Sequence, residues 1–262
     1  MFFYKVYKMR FSNLKKGIIF FLITINLTSI KAQEDISIIR YKKKSNTIVD
    51  PKKENTTAVI FVKKIMNEMK KVEYTLVFNK DTSVFFDYSN MGLEKDENSL
   101  VVEFSKTLGG GEGIYYVNRK TNKTFHEREF ESELYLVEQD KISNWTLTQE
   151  KKKIGNYNCF KATKNDTFVG SSGNIITIKI IAWYTPEIPF SYGPIKYNGL
   201  PGLILELEND KVIFYVSKIE LNKKDSKEKV LQPKKGIKIT QSKYDSIIMG
   251  LAKDFNKKHK RN

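Results

Sequence analysis

The sequence predicts a mainly β (α+β) fold, built as an antiparallel meander or an open half-barrel with one or two packing helices. Three observations support this prediction. Short segments rich in β-branched and aromatic residues recur along the chain, polar or glycine-containing stretches separate most of them, and only two segments show helical spacing. With 40% hydrophobic residues among 262, the chain can bury a sizeable core.

In the first half of the chain, residues 36–43 predict a strand. Residues 58–71 predict a helix that Thr56 or Thr57 could cap, although AVIFV at its start could equally begin a strand. The pattern then changes to short strands, which are predicted at 72–79, 82–89, 99–106, 113–119, 123–130 and 133–140.

The second half repeats this pattern up to one final helix. Strands are predicted at 144–154, 157–164, 175–185, 203–210 and 211–221. The last two flank Asn209-Asp210, which indicates a hairpin. A C-terminal helix is predicted at 242–256. It could pack on the sheet, or, because its polar face is rich in lysine, it could lie on a membrane surface. Its apolar stripe comprises Tyr244, Ile247, Ile248, Leu251 and Phe255.

The N-terminal segment has the layout of a secretory signal peptide. A basic start without an acid precedes the apolar run Gly17 to Ile30 and then Lys31-Ala32-Gln33. We expect a signal peptide over 1–32, cleaved after Ala32 or alternatively after Ser29, and one β-rich domain over 33–262. The alternative is an uncleaved anchor. The expected location is the periplasm or the outer-membrane surface.

The net charge of +16 comes mainly from scattered lysines. Arginine is rare, so the bidentate contacts that read phosphates and bases are scarce, and we expect no nucleic-acid partner. Attraction to an anionic membrane surface is the alternative use of this charge.

No catalytic constellation is recognisable. Cys159 is the only cysteine and predicts a buried small hydrophobe, while His126 and His259 are isolated. Ser226 begins an S-x-x-K pattern, but in a lysine-rich loop. We therefore predict no catalytic residue, no metal site and no cofactor.

Two further patterns have structural interpretations. The glycine-rich stretch 109–113 lacks the ending of a phosphate-binding loop and predicts a flexible hairpin tip. Alternating acids at 127–133 predict a solvated strand face, although paired carboxylates could also serve glycoside hydrolysis.

A stiff connection of roughly twenty residues separates the strands at 175–185 and 203–210, since proline and glycine restrict regular pairing there. Long connections of this kind are usually functional or packed on the domain as a lid. The residues that define it are Pro186, Pro189, Gly193, Pro194, Gly199, Leu200, Pro201 and Gly202, followed by Leu203 and Ile204.

This segment, with YNGLPGLI at 197–204, resembles the GLPGLI family of exported proteins from Gram-negative bacteria. The blocks at 145–163 and 182–194 and the serine–aromatic strand at 81–86 are similar to the family as well. A departure is Gly173-Asn174, where the family pattern has a Gly-Arg pair. The resemblance implies export and a shared β-rich fold, and it implies no catalytic residues.

The leading functional hypothesis is a non-enzymatic envelope protein that binds an apolar or peptidic ligand or a membrane partner. Five aromatic residues are expected to line or cover its binding face, or else to pack the core: Trp183, Tyr184, Phe190, Tyr192 and Tyr197. One alternative is a hydrolase with an unidentified nucleophile. Another is an assembly partner of an outer-membrane uptake system.

Overall fold

The computed structural model describes residues 35–48, 56–88, 99–140, 144–170, 172–224 and 226–259. The signal peptide expected over 1–32 lies outside these ranges. The described residues belong to one compact unit.

The described residues form twelve strands in a single sheet. Their bounds are β1 Ile36–Ser45, β2 Glu73–Phe78, β3 Thr82–Asp87, β4 Ile114–Asn118, β5 Lys123–Phe130, β6 Glu133–Gln139, β7 Thr146–Ile154, β8 Tyr157–Val169, β9 Ile175–Thr185, β10 Leu203–Asn209, β11 Val212–Lys223 and β12 Ile237–Thr240. Across the sheet the order is β12-β6-β5-β4-β3-β2-β1-β11-β10-β9-β8-β7.

The sheet consists of two antiparallel meanders that β1 joins. β2 to β6 form one arm, β7 to β11 form the other, and β1 pairs with β2 on one side and β11 on the other. Among the described strands, only β12, which lies beside β6, is parallel to its neighbour. The predicted fold class is confirmed: the protein is mainly β, and the sheet is open rather than closed into a barrel.

The described residues contain three helices, one more than the sequence predicted: α1 Thr57–Met69, α2 Ser99–Thr107 and α3 Gln241–His259. The helix predicted at 58–71 is confirmed, and the Thr56 side chain caps it by accepting a hydrogen bond from Val59 N. The C-terminal helix is also confirmed, slightly longer than 242–256. The strand predicted at 99–106 is wrong, because this segment forms α2.

The contacts of α3 show that the sheet is strongly curved. β6 and β8 are nine positions apart in the sheet, which would be about 43 Å if it were flat. Yet α3 contacts both strands. Tyr244 packs against Tyr135 of β6, and Ala252, about 12 Å further along the helix, lies against Gly173 in the β8–β9 turn. The two arms must therefore curl toward each other, with α3 between them.

The concave face carries the main core. Side chains of β1 to β4 and β8 to β11 join Ile65 and Met69 of α1 in one hydrophobic cluster. Two smaller clusters lie on the opposite face, and Val230 from the segment after β11 packs against both of them. This division follows from the alternation of side chains along each strand.

The connection at 186–202, called the flap below, lies on the concave face. Phe190 and Tyr192 contact the ring of Phe78, with centroid distances of 5.0 and 5.3 Å. Main-chain bonds from Leu203 N to Ile188 O and from Ile204 N to Tyr192 O tie the flap to the start of β10. The flap is thus a packed layer of the core.

Two sequence interpretations need correction. The stretch 109–113 is not a hairpin tip but the connection from α2 to β4. A Cβ at Gly111 would lie 2.7 Å from the Tyr74 ring, so this loop is packed against the core. The acids at 127–133 do not share one strand face, since Glu131 lies in the turn between β5 and β6.

A buried lysine holds α2 on the sheet. Lys43 of β1 is fully buried, and its Nζ donates hydrogen bonds to Lys106 O at 2.6 Å, Leu108 O at 3.0 Å and Gly110 O at 3.3 Å. These carbonyls belong to the C-terminal end of α2 and the loop after it, where a cation is favourable. Burial lowers the pKa of Lys43 to about 7. The three carbonyl acceptors match the three N–H groups of an ammonium in number.

Replacing Lys43 should release α2. We expect Lys43→Met to lower the free energy of unfolding by about 3 kcal/mol, because three carbonyls lose a buried donor. Urea unfolding measures this change. Lys44→Met, at the exposed neighbouring position, is the matched control and should change stability by less than about 0.5 kcal/mol. Equal effects of the two variants would contradict the capping role.

The flap requires glycine at position 202. A Cβ there would lie 2.1 Å from Thr185 O, an atom of the β9 backbone that cannot move independently. Gly202→Ala should therefore cost at least about 2 kcal/mol in urea unfolding. Gly250→Ala, in α3 with no atom within 4 Å of the added carbon, should be neutral or stabilising. A stable Gly202→Ala variant would mean that the flap is not seated as described.

Candidate functional site

An open cleft of about 1540 Å³ lies on the concave side of the sheet. The flap occupies one part of the concave face, and the cleft occupies the part between α1, the β8–β9 hairpin and α3. Ligand pockets in proteins usually measure roughly 300 to 1000 Å³, so this cleft is large enough for a sizeable molecule.

The walls of the cleft are apolar and come from separate elements. α1 contributes Ile65 and Met66, β9 contributes Ile178, and α3 contributes Ile248 and Leu251. Methionine adapts its shape to different neighbours, which suits a wall that contacts a flexible ligand. These elements lie far apart in sequence, and only the curvature of the sheet brings them together.

The polar part of the lining is acidic on balance. Among the described residues that line the cleft, acidic side chains outnumber basic ones by seven to four, although the whole chain carries a net charge of +16. The lining therefore favours neutral or cationic groups over anionic ones.

A group of polar residues called the floor cluster, comprising Glu112, Tyr115, His126 and Arg128, lies at one side of the cleft. Arg128 Nη2 pairs with Glu112 Oε1 at 2.9 Å. His126 Nε2 donates a hydrogen bond to Glu112 O at 2.9 Å, and its ring stacks on Tyr115 with centroids 3.8 Å apart. Burial first, and then the positive charge of Arg128, lowers the pKa of His126 to about 3.

Tyr244 connects α3 to the floor cluster. The Arg128 guanidinium lies 5.1 Å from the centroid of the Tyr244 ring. Within the described residues, three buried polar atoms of this region have no hydrogen-bond partner: Glu112 Oε2, Arg128 Nε and Tyr244 Oη. Such atoms each cost about 1–3 kcal/mol, so this is the least satisfied polar region of the cleft.

A second polar group ties the flap to the opposite wall. Asp166 of β8 accepts a hydrogen bond from Tyr197 Oη at 2.9 Å and pairs with Lys196 Nζ at 3.0 Å. Burial alone would raise the pKa of Asp166, but these two partners lower it below its ordinary value. The carboxylate therefore stays charged at the cleft surface.

Of the five aromatic residues predicted for a binding face, only Tyr197 lines the cleft. Tyr184 and Tyr192 are buried, and Phe190 is partly buried against Phe78. Trp183 lies under the ammonium of Lys152, at 4.3 Å. The structure thus brings Phe190 and Tyr192 together in the flap and does not bring all five residues to one surface.

Sequence reasoning missed the floor cluster and the cleft walls. One signal was present, because Thr124, His126 and Arg128 alternate along β5 and place polar groups where an inward face should be apolar. The role of α3 as a wall had no local signal, since it depends on the curvature of the sheet.

Other kinds of site receive no support within the described ranges. No group of three or more histidine, cysteine or acidic side chains there could hold a metal ion. Cys159 is buried as predicted, and burial raises the pKa of its thiol to about 11. In the same part of the chain, no helix has the length and hydropathy needed to cross a bilayer.

One family model matches part of the chain. Residues 173–206 match the model of a family described as "Protein of unknown function (Porph_ging)". This match includes β9, the flap and the start of β10. No curated protein sequence matches the chain.

Two crystal structures of PNGF-II, in space groups P21 and C2, are similar to the fold with a TM-score of 0.49 each. Identity is 16% and 15%, and the alignments cover 82% and 81% of this chain but only 33% and 32% of PNGF-II. An uncharacterised conserved protein from Thermus thermophilus aligns with a TM-score of 0.32 and 7% identity, over 80% of this chain and 93% of that one. The chain therefore spans about a third of PNGF-II, and likeness at this level carries no functional inference.

The buried histidine predicts a pH dependence of stability. Folded His126 stays neutral down to about pH 3, whereas an unfolded histidine titrates near pH 6.5. Between these values the unfolded chain binds more protons, so His126 makes stability fall as pH falls through this window. We expect His126→Gln to reduce that slope by up to about 1.4 kcal/mol per pH unit, as measured by urea unfolding from pH 4 to 6. His259→Gln, at the only other histidine, should leave the slope unchanged.

Proposed function

We propose that this protein is an exported envelope protein that binds an apolar or peptidic ligand in the cleft and is not an enzyme. The observation that carries this proposal is the cleft itself, with apolar walls from α1, β9 and α3 beside a partly buried polar floor. A large apolar cavity with a few convergent polar groups is the usual form of a small-molecule binding site.

The proposal includes membership of the GLPGLI family and export. It rests on the motif at 197–204, on the wider blocks of family-like sequence, and on the signal-like segment at 1–32. The family match at 173–206 overlaps this motif. The final location would be the periplasm or the outer-membrane surface.

The chemistry of the cleft lining restricts the kinds of ligand that the cleft could bind. The acidic excess disfavours anionic ligands. In the floor cluster, Arg128 Nε is an unpaired donor and Glu112 Oε2 is an unpaired acceptor. Both atoms are buried, so they provide no contact for a ligand in the cleft as it stands. A neutral or cationic molecule with a large apolar part, including an apolar peptide, therefore fits best.

The titratable groups support binding rather than nucleophilic catalysis. His126 is held neutral by its environment and donates to a main-chain carbonyl, so it is poorly suited to accept a proton at neutral pH. The raised pKa of Cys159 keeps its thiol protonated.

A pair of dyes of similar shape tests the cleft. The neutral dye N-phenylnaphthylamine should bind with a rise in fluorescence and more tightly than the anionic anilinonaphthalene sulfonate. Ile178→Trp places a large ring in the cleft wall and should weaken binding of the neutral dye about tenfold, a loss of about 1.4 kcal/mol. Fluorescence titration measures both affinities.

The matched control is Ile175→Trp, on the same strand but 70% exposed and outside the cleft. It should leave both affinities unchanged. Urea unfolding checks that both variants are folded. If they are, equal affinity of the parent and Ile178→Trp for the neutral dye would refute the cleft as the binding site.

A further inference from the structure

We propose that the protein docks on an anionic lipid bilayer through the outer face of α1 and α2. This face, called the helix-pair surface, is formed by exposed apolar side chains. They are Leu100 at 62% exposure, Ile60 at 47%, Phe104 at 46%, Leu108 at 43%, and Phe61 and Val62 at 39%.

Four of these side chains, Leu100, Phe104 and Leu108 of the second helix region and Phe61 of α1, form one continuous surface. Leu100, Phe104 and Leu108 are spaced four residues apart and share one side of α2 and its C-terminal turn. Phe61 of α1 contacts Phe104 edge to face, with centroids 6.2 Å apart. The two helices pack against each other, so their apolar outer sides are adjacent.

The helix-pair surface is not needed for the core. α1 already buries Ile65 and Met69 on its inner side, and α2 buries Ser105 and is held by Lys43. Near its N-terminal end α1 exposes Phe61, one turn before the buried Ile65, and α2 exposes Leu100 and Phe104 away from the buried Ser105. Contiguous exposed apolar surface of this kind marks an interaction site.

The charges beside this surface favour an anionic bilayer as the partner. Across α1, the turn after it and α2, basic residues outnumber acidic ones by five to two, and Lys63, Lys64, Lys70 and Lys71 supply four of the five. Lysines next to a bilayer with anionic lipids contribute about 1 kcal/mol each. Aromatic and aliphatic residues on one side with lysines beside them are typical of helices that lie in a membrane interface. A second copy of the chain would bring the same lysines together across a two-fold axis, which is unfavourable.

The helix-pair surface is continuous with the cleft. Val62 belongs to the exposed side of α1 and also lines the cleft, next to Ile65 and Met66. A docked protein would therefore present one rim of its cleft to the lipid. Docking does not depend on ligand binding in the cleft, so the two proposals are tested separately.

A local reporter tests docking in the full chain. We expect the tryptophan of Phe104→Trp to be quenched by vesicles of equimolar phosphatidylcholine and phosphatidylglycerol with brominated acyl chains. The control is Leu231→Trp, at a 68% exposed apolar position outside the helix-pair surface, where no additional quenching is expected. Trp145, Trp183 and the apolar N-terminal segment are common to the parent and both variants, so quenching is measured as the difference from the parent, and these shared features cannot account for a difference between the variants.

Loss of the surface provides the second measurement. Phe104→Glu should reduce co-sedimentation with the same vesicles at least about tenfold, since the interface loses a large apolar group and gains a repelled charge. Leu231→Glu should have no effect. Binding should weaken in high salt and with vesicles of phosphatidylcholine alone.

Absence of quenching at position 104, or equal binding to vesicles without anionic lipid, would overturn the proposal. So would a parent dimer that Phe104→Glu converts to a monomer without a change in vesicle binding, since a second copy would then be the occupant. The dye titration without vesicles reports on the cleft alone, so failure of docking and failure of the cleft proposal are distinguishable.

Discussion

The structure depends on how the concave face of a long curved sheet is covered. The main chain of Gly202 lies directly against that of Thr185, so the flap is held flat on the strands from which it leaves and to which it returns. Phe190 and Tyr192 then reach Phe78 across the sheet. Because the flap covers only part of this face, the remainder stays open as the cleft. The proline and glycine pattern at 186–202 therefore determines where a ligand could be held.

A polar attachment links the core to the outer surface. Lys43 satisfies the carbonyls at the end of α2 from within the core, and Ser105 is buried on the inner side of that helix. Few large apolar side chains of α2 are needed for packing, so its leucine and phenylalanine side chains remain outside. Attachment through polar groups on one side of a helix thus leaves apolar side chains of the same helix exposed.

The local sequence pattern was sufficient to predict most strands of the sheet, but it was not sufficient to predict the candidate site. Eleven of the twelve strands follow from alternating side chains and turn residues, since antiparallel hairpins are local. The sequence pattern of residues 100–104 is compatible with either a strand or a helix, and in the structure this segment is a helix that packs beside α1. β12 is short and pairs in parallel with β6 across a long connection, so its neighbours in sequence carry no signal. The cleft arises from the curvature of the sheet, which brings α1, β9 and α3 together. No single segment of the sequence carries a pattern that predicts this curvature.

The pairing of β1 with β11 has a kinetic consequence. Ile39 faces Ile219 across a sequence separation that covers most of the chain, whereas each meander is built from neighbouring hairpins. The cost of closing such a large loop must be met before this central contact is gained, which slows folding. Until β11 arrives, the edge of β1 stays unpaired and available to other chains, and an intermediate of this kind is prone to aggregation.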